Sequence, residues 1–268
     1  MKKIATAIAL CLLIVFATTF SACFTVEMED EFKGLSFVSA TQEFYDEITT
    51  KISGKRIFNT ASVIEYDYRK KVVNDEGDYF VSATAYKTEK AGQTVIQGSA
   101  NGRQAVGCIG CASDVALYDF YYTDSDDTLF VDSVRARSSI HAKEKMVVDL
   151  DALSIVGEYM MDLSKTLTEI LSGYSISQVK VATVGSKIAV KLVKTDYSFE
   201  SGIQTCDNMF IIDANGTVLA IKTYMSIVDG DGATTEIAVT ARVSSKTVTE
   251  PTDLSSYQTV TEFKNYYK

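Results

Sequence analysis

Thr217-Val218-Leu219-Ala220-Ile221-Lys222-Thr223-Tyr224-Met225-Ser226-Ile227-Val228 reads as one long strand. Leu219, Ile221, Met225 and Ile227 fall on one face and Lys222, Tyr224 and Ser226 on the other, the period-two pattern of a half-buried strand. Asp229-Gly230-Asp231-Gly232 then supplies turn residues, and Ile237, Val239, Ala241 and Val243 resume the alternation against Glu236, Thr240 and Arg242. The stretch predicts a long antiparallel hairpin. A sheet made of such hairpins must bury one face against something else.

Working outward, Met209 to Ile212 leads through Asp213-Ala214-Asn215-Gly216 into that hairpin, and Val184-Gly185-Ser186 marks a further turn. In the first half, strands are predicted at 60–73, 79–88, 93–100, 115–122 and 129–137, all rich in β-branched and aromatic residues. The single proline, Pro251, leaves these ladders uninterrupted. Two one-sided helices are legible. Ser39 with Gln42 has capping-box spacing before Phe44, Ile48 and Ile52, with Gly54 as terminator. A longer helix, 152–172, carries Leu153, Val156, Met160, Leu163, Leu167 and Ile170 on one stripe and ends at Gly173. Helix followed by about five strands thus occurs twice, at 39–149 and 152–248, without a residue-level repeat. One continuous sheet contributed by both halves is the simpler reading, and the fold class expected is α+β.

The N-terminus places the domain. Lys2 and Lys3 precede an apolar run from Ile4 to Phe20, then Ser21, Ala22 and Cys23, the composition of an export signal. Phe20-Ser21-Ala22-Cys23 resembles the lipobox of bacterial lipoproteins in its last three positions, with Phe20 where Leu is usual. That resemblance implies cleavage before Cys23 and a diacylglycerol on its sulfur. Acyl chains contribute about 0.8 kcal/mol per buried methylene, enough for two or three to hold a domain at a membrane. An ordinary secretory signal cut near Ala22, or an uncleaved anchor, are the alternatives.

Expected organisation is therefore a signal peptide at 1–22, a short acidic tether at 23–36 (Glu27, Glu29, Asp30, Glu31) and one exported domain at 37–268. Removing residues 1–22 from the 268 leaves 246, enough for a sizeable core without disulfide or metal. Loss of Lys2 and Lys3 takes the formal charge from −9 to −11, which disfavours nucleic acid as a partner. The expected location is the bacterial envelope, on the outer face of the cytoplasmic membrane or on an outer membrane.

Chemistry-bearing constellations are sparse. His141 is the only histidine, so any triad or multi-histidine metal site depends on it. If 129–141 is one strand, His141 shares a polar face with Val131, Ser133, Arg135 and Arg137 while Phe130 and Val134 face the core. The same parity reaches Lys143 and Lys145, and Arg135, Arg137, His141, Lys143 and Lys145 then form a basic stripe suited to anionic headgroups. A turn within 138–143 would disperse it, and a solvated sheet face is the plainer reading.

Cys108-Ile109-Gly110-Cys111 lacks the helix that activates a redox dithiol. A local disulfide or two unpaired thiols is expected, and Cys206 reads as a small buried residue. Asp124-Ser125-Asp126-Asp127 and Asp229 to Gly232 are turns rather than calcium loops. No metal, cofactor or catalytic site is expected.

An exported chain with an N-terminal helix, meandering strands, a central amphipathic helix and a closing hairpin followed by Thr249-Glu250-Pro251-Thr252-Asp253-Leu254 resembles the lipoprotein-carrier (LolA/LppX-like) superfamily in element order. That resemblance implies a curved, half-barrel-like sheet with helices in its concave face and a groove for acyl chains. Val156, Met160, Leu163 and Leu167 would wall the groove, or serve as ordinary core. Carriage of an apolar ligand without catalysis is the leading expectation. A packed adhesion or scaffolding module and an envelope thiol protein compete with it.

Overall fold

In the computed structural model, the described residues are 26, 28, 30–58, 63–73, 78–90, 92–104, 114–135, 140–148, 160, 163–199 and 202–263. They form a 13-stranded sheet in the order β1-β8-β9-β10-β11-β12-β2-β3-β4-β5-β6-β7-β13. The strands are β1 (Val38–Ser39), β2 (Val63–Val73), β3 (Tyr79–Lys90), β4 (Gln93–Gln104), β5 (Asp114–Thr123), β6 (Thr128–Arg135) and β7 (Ile140–Val147). The second half adds β8 (Val179–Val184), β9 (Lys187–Phe199), β10 (Gly202–Ile212), β11 (Val218–Val228), β12 (Thr234–Ser244) and β13 (Gln258–Thr259). All pairs are antiparallel except β13 on β7.

The two meanders meet where β12 lies against β2 along the whole of both strands, from Thr234↔Val73 to Ser244↔Val63. Both halves therefore build one sheet. The 217–243 hairpin forms as expected, with Val228↔Thr234 closing it and Gly232 at φ 84, a left-handed position that suits glycine, but a register shift at Ile211/Ile212 puts Leu219 with the opposite face from Ile221.

Thirteen strands at roughly 4.8 Å spacing would make a flat ribbon far too wide to close one core. Instead, residues from one face of β2–β6 and β8–β12 belong to a single buried cluster with Ile48, Ile52, Leu167 and Leu171, so the sheet curves around its helices. We call this the inner face. Within it Phe120 lies across from Gly98, where a Cβ would strike the phenyl ring and the Thr84 carbonyl.

Helix α1 (Gln42–Ile52) and helix α2 (Leu167–Ser172) cover this face, bridged by the Thr168 hydroxyl donating to the Ile52 carbonyl at 3.4 Å. The cap of α1 is Thr41, whose hydroxyl accepts from Phe44 N–H, rather than Ser39, which belongs to β1. The second helix is shorter than its apolar stripe implies. Thr166 and Glu169 form a capping box that starts it at Leu167, and Met160 and 163–166 are not helical. The remaining stripe positions, Leu153 and Val156, lie outside the described residues. A strong start signal with N-cap and N3 partners satisfied outweighed a continuing period.

The expected tether is also different. Residues 26, 28 and 30–37 run across the opposite, outer face of the sheet. Phe32 packs with Ala182, Ala189, Met209, Ile211 and Ala220, and Val26 and Met28 pack with Ala238. Asp30, only 2% exposed in its side chain, accepts from Lys222 Nζ at 2.7 Å, and Arg242 reaches Glu31 at 3.8 Å. Acidity in this segment therefore complements the basic residues of β11 and β12. A second strap, 246–257, crosses the other half of the outer face. Lys246 sits 3.9 Å from the Tyr86 ring centre, Thr249 N–H donates to Gln97, and Tyr257 packs edge-on to Phe130 at 5.4 Å.

Candidate functional site

The inner face is not uniformly closed. We call the end with Gly92 and the turns at 124–127 and 213–217 the lower end, and the end where β2 stops at Val73 and β12 starts at Thr234 the upper end. Toward the lower end, Ile96, Leu129 and Ile212 are fully buried, as is Leu192 at the level of Asn208. Higher on the same face, Tyr79, Cys206, Asn208, Thr223, Met225, Ile227 and Ile237 are only half-buried. Register assigns them there: Asn208↔Thr223, Cys206↔Met225 and Met225↔Ile237 are cross-strand neighbours.

Set in this apolar surface is a short polar chain. Thr223 donates to Asn208 Oδ1 at 2.8 Å, and Asn208 Nδ2 donates to Tyr174 Oη at 2.9 Å. Burial, the largest influence, raises the Tyr174 phenol above its ordinary value despite the Asn208 bond. Asn208 Nδ2 also approaches Cys206 Sγ at 3.7 Å, and Gln204 Nε2 donates to Met225 Sδ at 3.0 Å. Mostly apolar walls with few converging polar groups are what small-molecule sites use. Met160 and Leu163, two of the expected groove residues, pack half-buried on this core, whereas Leu167 is wholly buried beneath it. Val156 lies outside the described residues.

The basic stripe does not form as expected. Strands β6 and β7 make a hairpin pairing Arg135↔Ile140 and Val134↔His141, so odd positions of one strand face with even positions of the other. His141, Lys143 and Lys145 consequently share the outer face with Phe130, Asp132 and Val134, while Arg135 turns inward with Val131 and Ser133. Arg137 lies outside the described residues. Phe130 is buried on the outer face because Tyr257 of the second strap covers it.

These three side chains are largely committed. His141 Nε2 is 2.6 Å from Asp132 Oδ1, Lys143 bonds Asp253 at 3.0 Å, and Lys145 stands 5.9 Å from the Phe130 ring centre. The bond to Asp253 is the main influence raising the Lys143 ammonium, and reciprocally the Asp253 carboxyl is lowered.

Beside them lies an open basin of about 710 Å3 floored by the outer-face residues Asp67, Thr84, Ser99, Asp119 and Asp132. Burial, then the facing Asp132, raises the Asp119 carboxyl. Sequence reading missed this basin because its residues come from five strands and share only their register.

Cys108 and Cys111 lie outside the described residues, and Cys206 is a reduced, half-buried cysteine. Among the described residues no cluster of three His, Cys, Asp or Glu could hold a metal ion. No described helix is long and apolar enough to cross a membrane.

No protein-family model matches the chain, and no curated protein matches it. Among solved structures, a DUF1329 family protein from Desulfovibrio piger is similar at 8% identity and a TM-score of 0.23, over 79% of this chain and 96% of that one. The ywiB protein from Bacillus subtilis is similar at 7% identity and a TM-score of 0.19, over 70% of this chain and 96% of that one. Both likenesses are too distant to transfer a fold or an activity.

Proposed function

We propose that the chain is a lipid-anchored envelope protein that binds or carries an apolar ligand on the upper half of its inner face, without catalysis. The observation that supports this reading is the gradient along that face, from full burial at Ile212 and Leu192 to half-exposure at Met225, Ile237 and Tyr79. An apolar side chain left half-solvated contributes less than its full burial of about 1.5–3 kcal/mol, and an acyl or other apolar guest would recover the difference. Two sulfur-bearing side chains, Met225 and Cys206, give that wall a soft surface that accepts guests of varied shape. The Tyr174–Asn208–Thr223 chain would orient a polar head. Cys23 would carry the anchor that holds the domain at the membrane.

Native mass spectrometry of the full chain extracted in mild detergent tests this. A lipid-sized mass released on unfolding, and lost in an Ile237→Asp variant that keeps its circular dichroism, is the expected result. A bare polypeptide mass, unchanged after incubation with envelope lipids, would sink the reading. It would favour the packed adhesion or scaffolding module, which the fully buried Leu167 suits.

A further inference from the structure

The polar chain on the inner face has a direction. Thr223 gives its hydroxyl hydrogen to Asn208 Oδ1, and Asn208 Nδ2 gives one of its own to Tyr174 Oη. Each group donates to the next, and among the described residues nothing accepts the hydroxyl hydrogen of Tyr174. Hydrogen bonds in series polarise one another, so the last hydroxyl is a stronger donor than an isolated phenol. A series that ends on a donor calls for an acceptor.

Tyr174 is fixed where it stands. It follows α2, donates its N–H to the Leu171 carbonyl at 3.0 Å, and packs half-buried on the inner-face core just before the short 3-10 turn Ile176–Gln178 leads into β8. The hydroxyl therefore meets β10 at Asn208 from a backbone pinned on both sides.

Charge selects the kind of acceptor. Strand β9 pairs with β10 so that Lys194 lies across from Cys206, the next inner-face pair above Asn208↔Leu192. The Lys194 ammonium is felt at the Tyr174 oxygen, where it works against the upward pull of burial. Asp207, whose charge is also felt there, lies on the outer side of β10 and is bonded to Lys191 at 2.5 Å. A neutral ester at this place would use the hydroxyl alone. A carboxylate would use the hydroxyl and the field of the ammonium together.

We propose that the guest is a long-chain fatty acid, its carboxylate accepting from Tyr174 Oη beside Lys194 and its tail lying over Met225, Ile237 and Tyr79. This rests on the apolar-carrier reading and names the class of guest. From β10 to β3 is four strand spacings, about 19 Å along the sheet, which suits a long chain rather than a short one. Met225, Ile237 and Tyr79 are half-buried apolar positions along that path.

Competition read by native mass spectrometry tests this. Full-length chain in a neutral detergent would be offered equal amounts of palmitate, methyl palmitate and hexadecylammonium, which share a tail and differ at the head. The expected result is a palmitate complex about tenfold more abundant than either of the others, as one charge-assisted hydrogen bond would give. Tyr174→Phe, which keeps the ring in the core, and Lys194→Gln, at an exposed position, should each lower that ratio severalfold with circular dichroism unchanged. Methyl palmitate taken up as well as palmitate, a preference for hexadecylammonium, or a palmitate preference untouched in both variants overturns the carboxylate head and leaves apolar carriage standing. Uptake of none of the three removes both readings.

Discussion

One sheet presents two faces here, and they are closed by different means. The inner face is closed by helices and by its own curvature, and its alternating apolar residues announce it in the sequence. The outer face is closed in patches by two irregular straps drawn from the chain ends, one held by Phe32 and the Asp30–Lys222 pair, the other by Tyr257 and Lys246. The first kind of closure is periodic and cooperative; the second is local and can be released piecemeal. Stability should divide along that line.

The sharpest test substitutes one buried side chain on each face. Ile212→Ala, fully buried on the inner face, should cost about 2–5 kcal/mol and lower the single urea midpoint of the whole domain. Phe32→Ala should cost less, about 2 kcal/mol, and show mainly as faster proteolysis within 24–37. Equal shifts of the global midpoint would mean that the strap and the inner core are one cooperative unit.

A smaller effect sharpens the same contrast. Asp30→Asn leaves Lys222 without its partner in a site where the lysine side chain is 12% exposed. Because Lys222 can turn toward solvent once the strap lifts, the expected cost is about 1–2 kcal/mol rather than that of a fully buried pair. Hydrogen exchange should rise along 30–37 and stay unchanged in α1.

The smallest effect is one of pH. Tyr224, packed between the strap and β12, has its phenol pushed up to about 12, first by burial and then by its bond to Glu236 at 2.8 Å. The neutral phenol is favoured in the folded state. Its contribution is therefore full below pH 10 and lost as pH rises from there through about 12. Wild type should lose stability faster than Tyr224→Phe over that window in denaturant titrations, and parallel curves would contradict the assignment.

Sequence reading recovered what is periodic. The 217–243 hairpin and the helix at Ile48 and Ile52 follow from spacing, and so does the α+β class, whereas the first half holds one strand more than the five expected, β7 (Ile140–Val147). What escaped it was aperiodic or non-local. Asp30 and Lys222 are 192 positions apart, and nothing in a short acidic segment distinguishes a solvated tether from a strap whose charges are matched. Phe130 looked like core because it is apolar. It is covered, but from the outer side, by Tyr257. The error at Arg135 and His141 was one of parity: they lie on different strands, and pairing Arg135 with Ile140 sets odd positions of β6 on one face with even positions of β7. On the candidate site, Met160 and Leu163 were legible as apolar positions, whereas Asn208, Thr223 and Tyr174 become neighbours only through strand register and an intervening helix.

The two shortest strands have a role out of proportion to their size. An open sheet has two rims of unsatisfied backbone amides and carbonyls, each a template on which a second molecule can add strand by strand. Here β1 lies along β8 and β13 along β7, pairing only two residues each, but each continues directly into a strap that bends away from the edge. The chain spends its own termini as stoppers. Clipping the chain before β1 should open the β8 edge as a template for self-association, whereas clipping at β13 should open the β7 edge and also remove Phe263 from the inner-face core, so proteolysis at that end should both loosen the domain and promote precipitation.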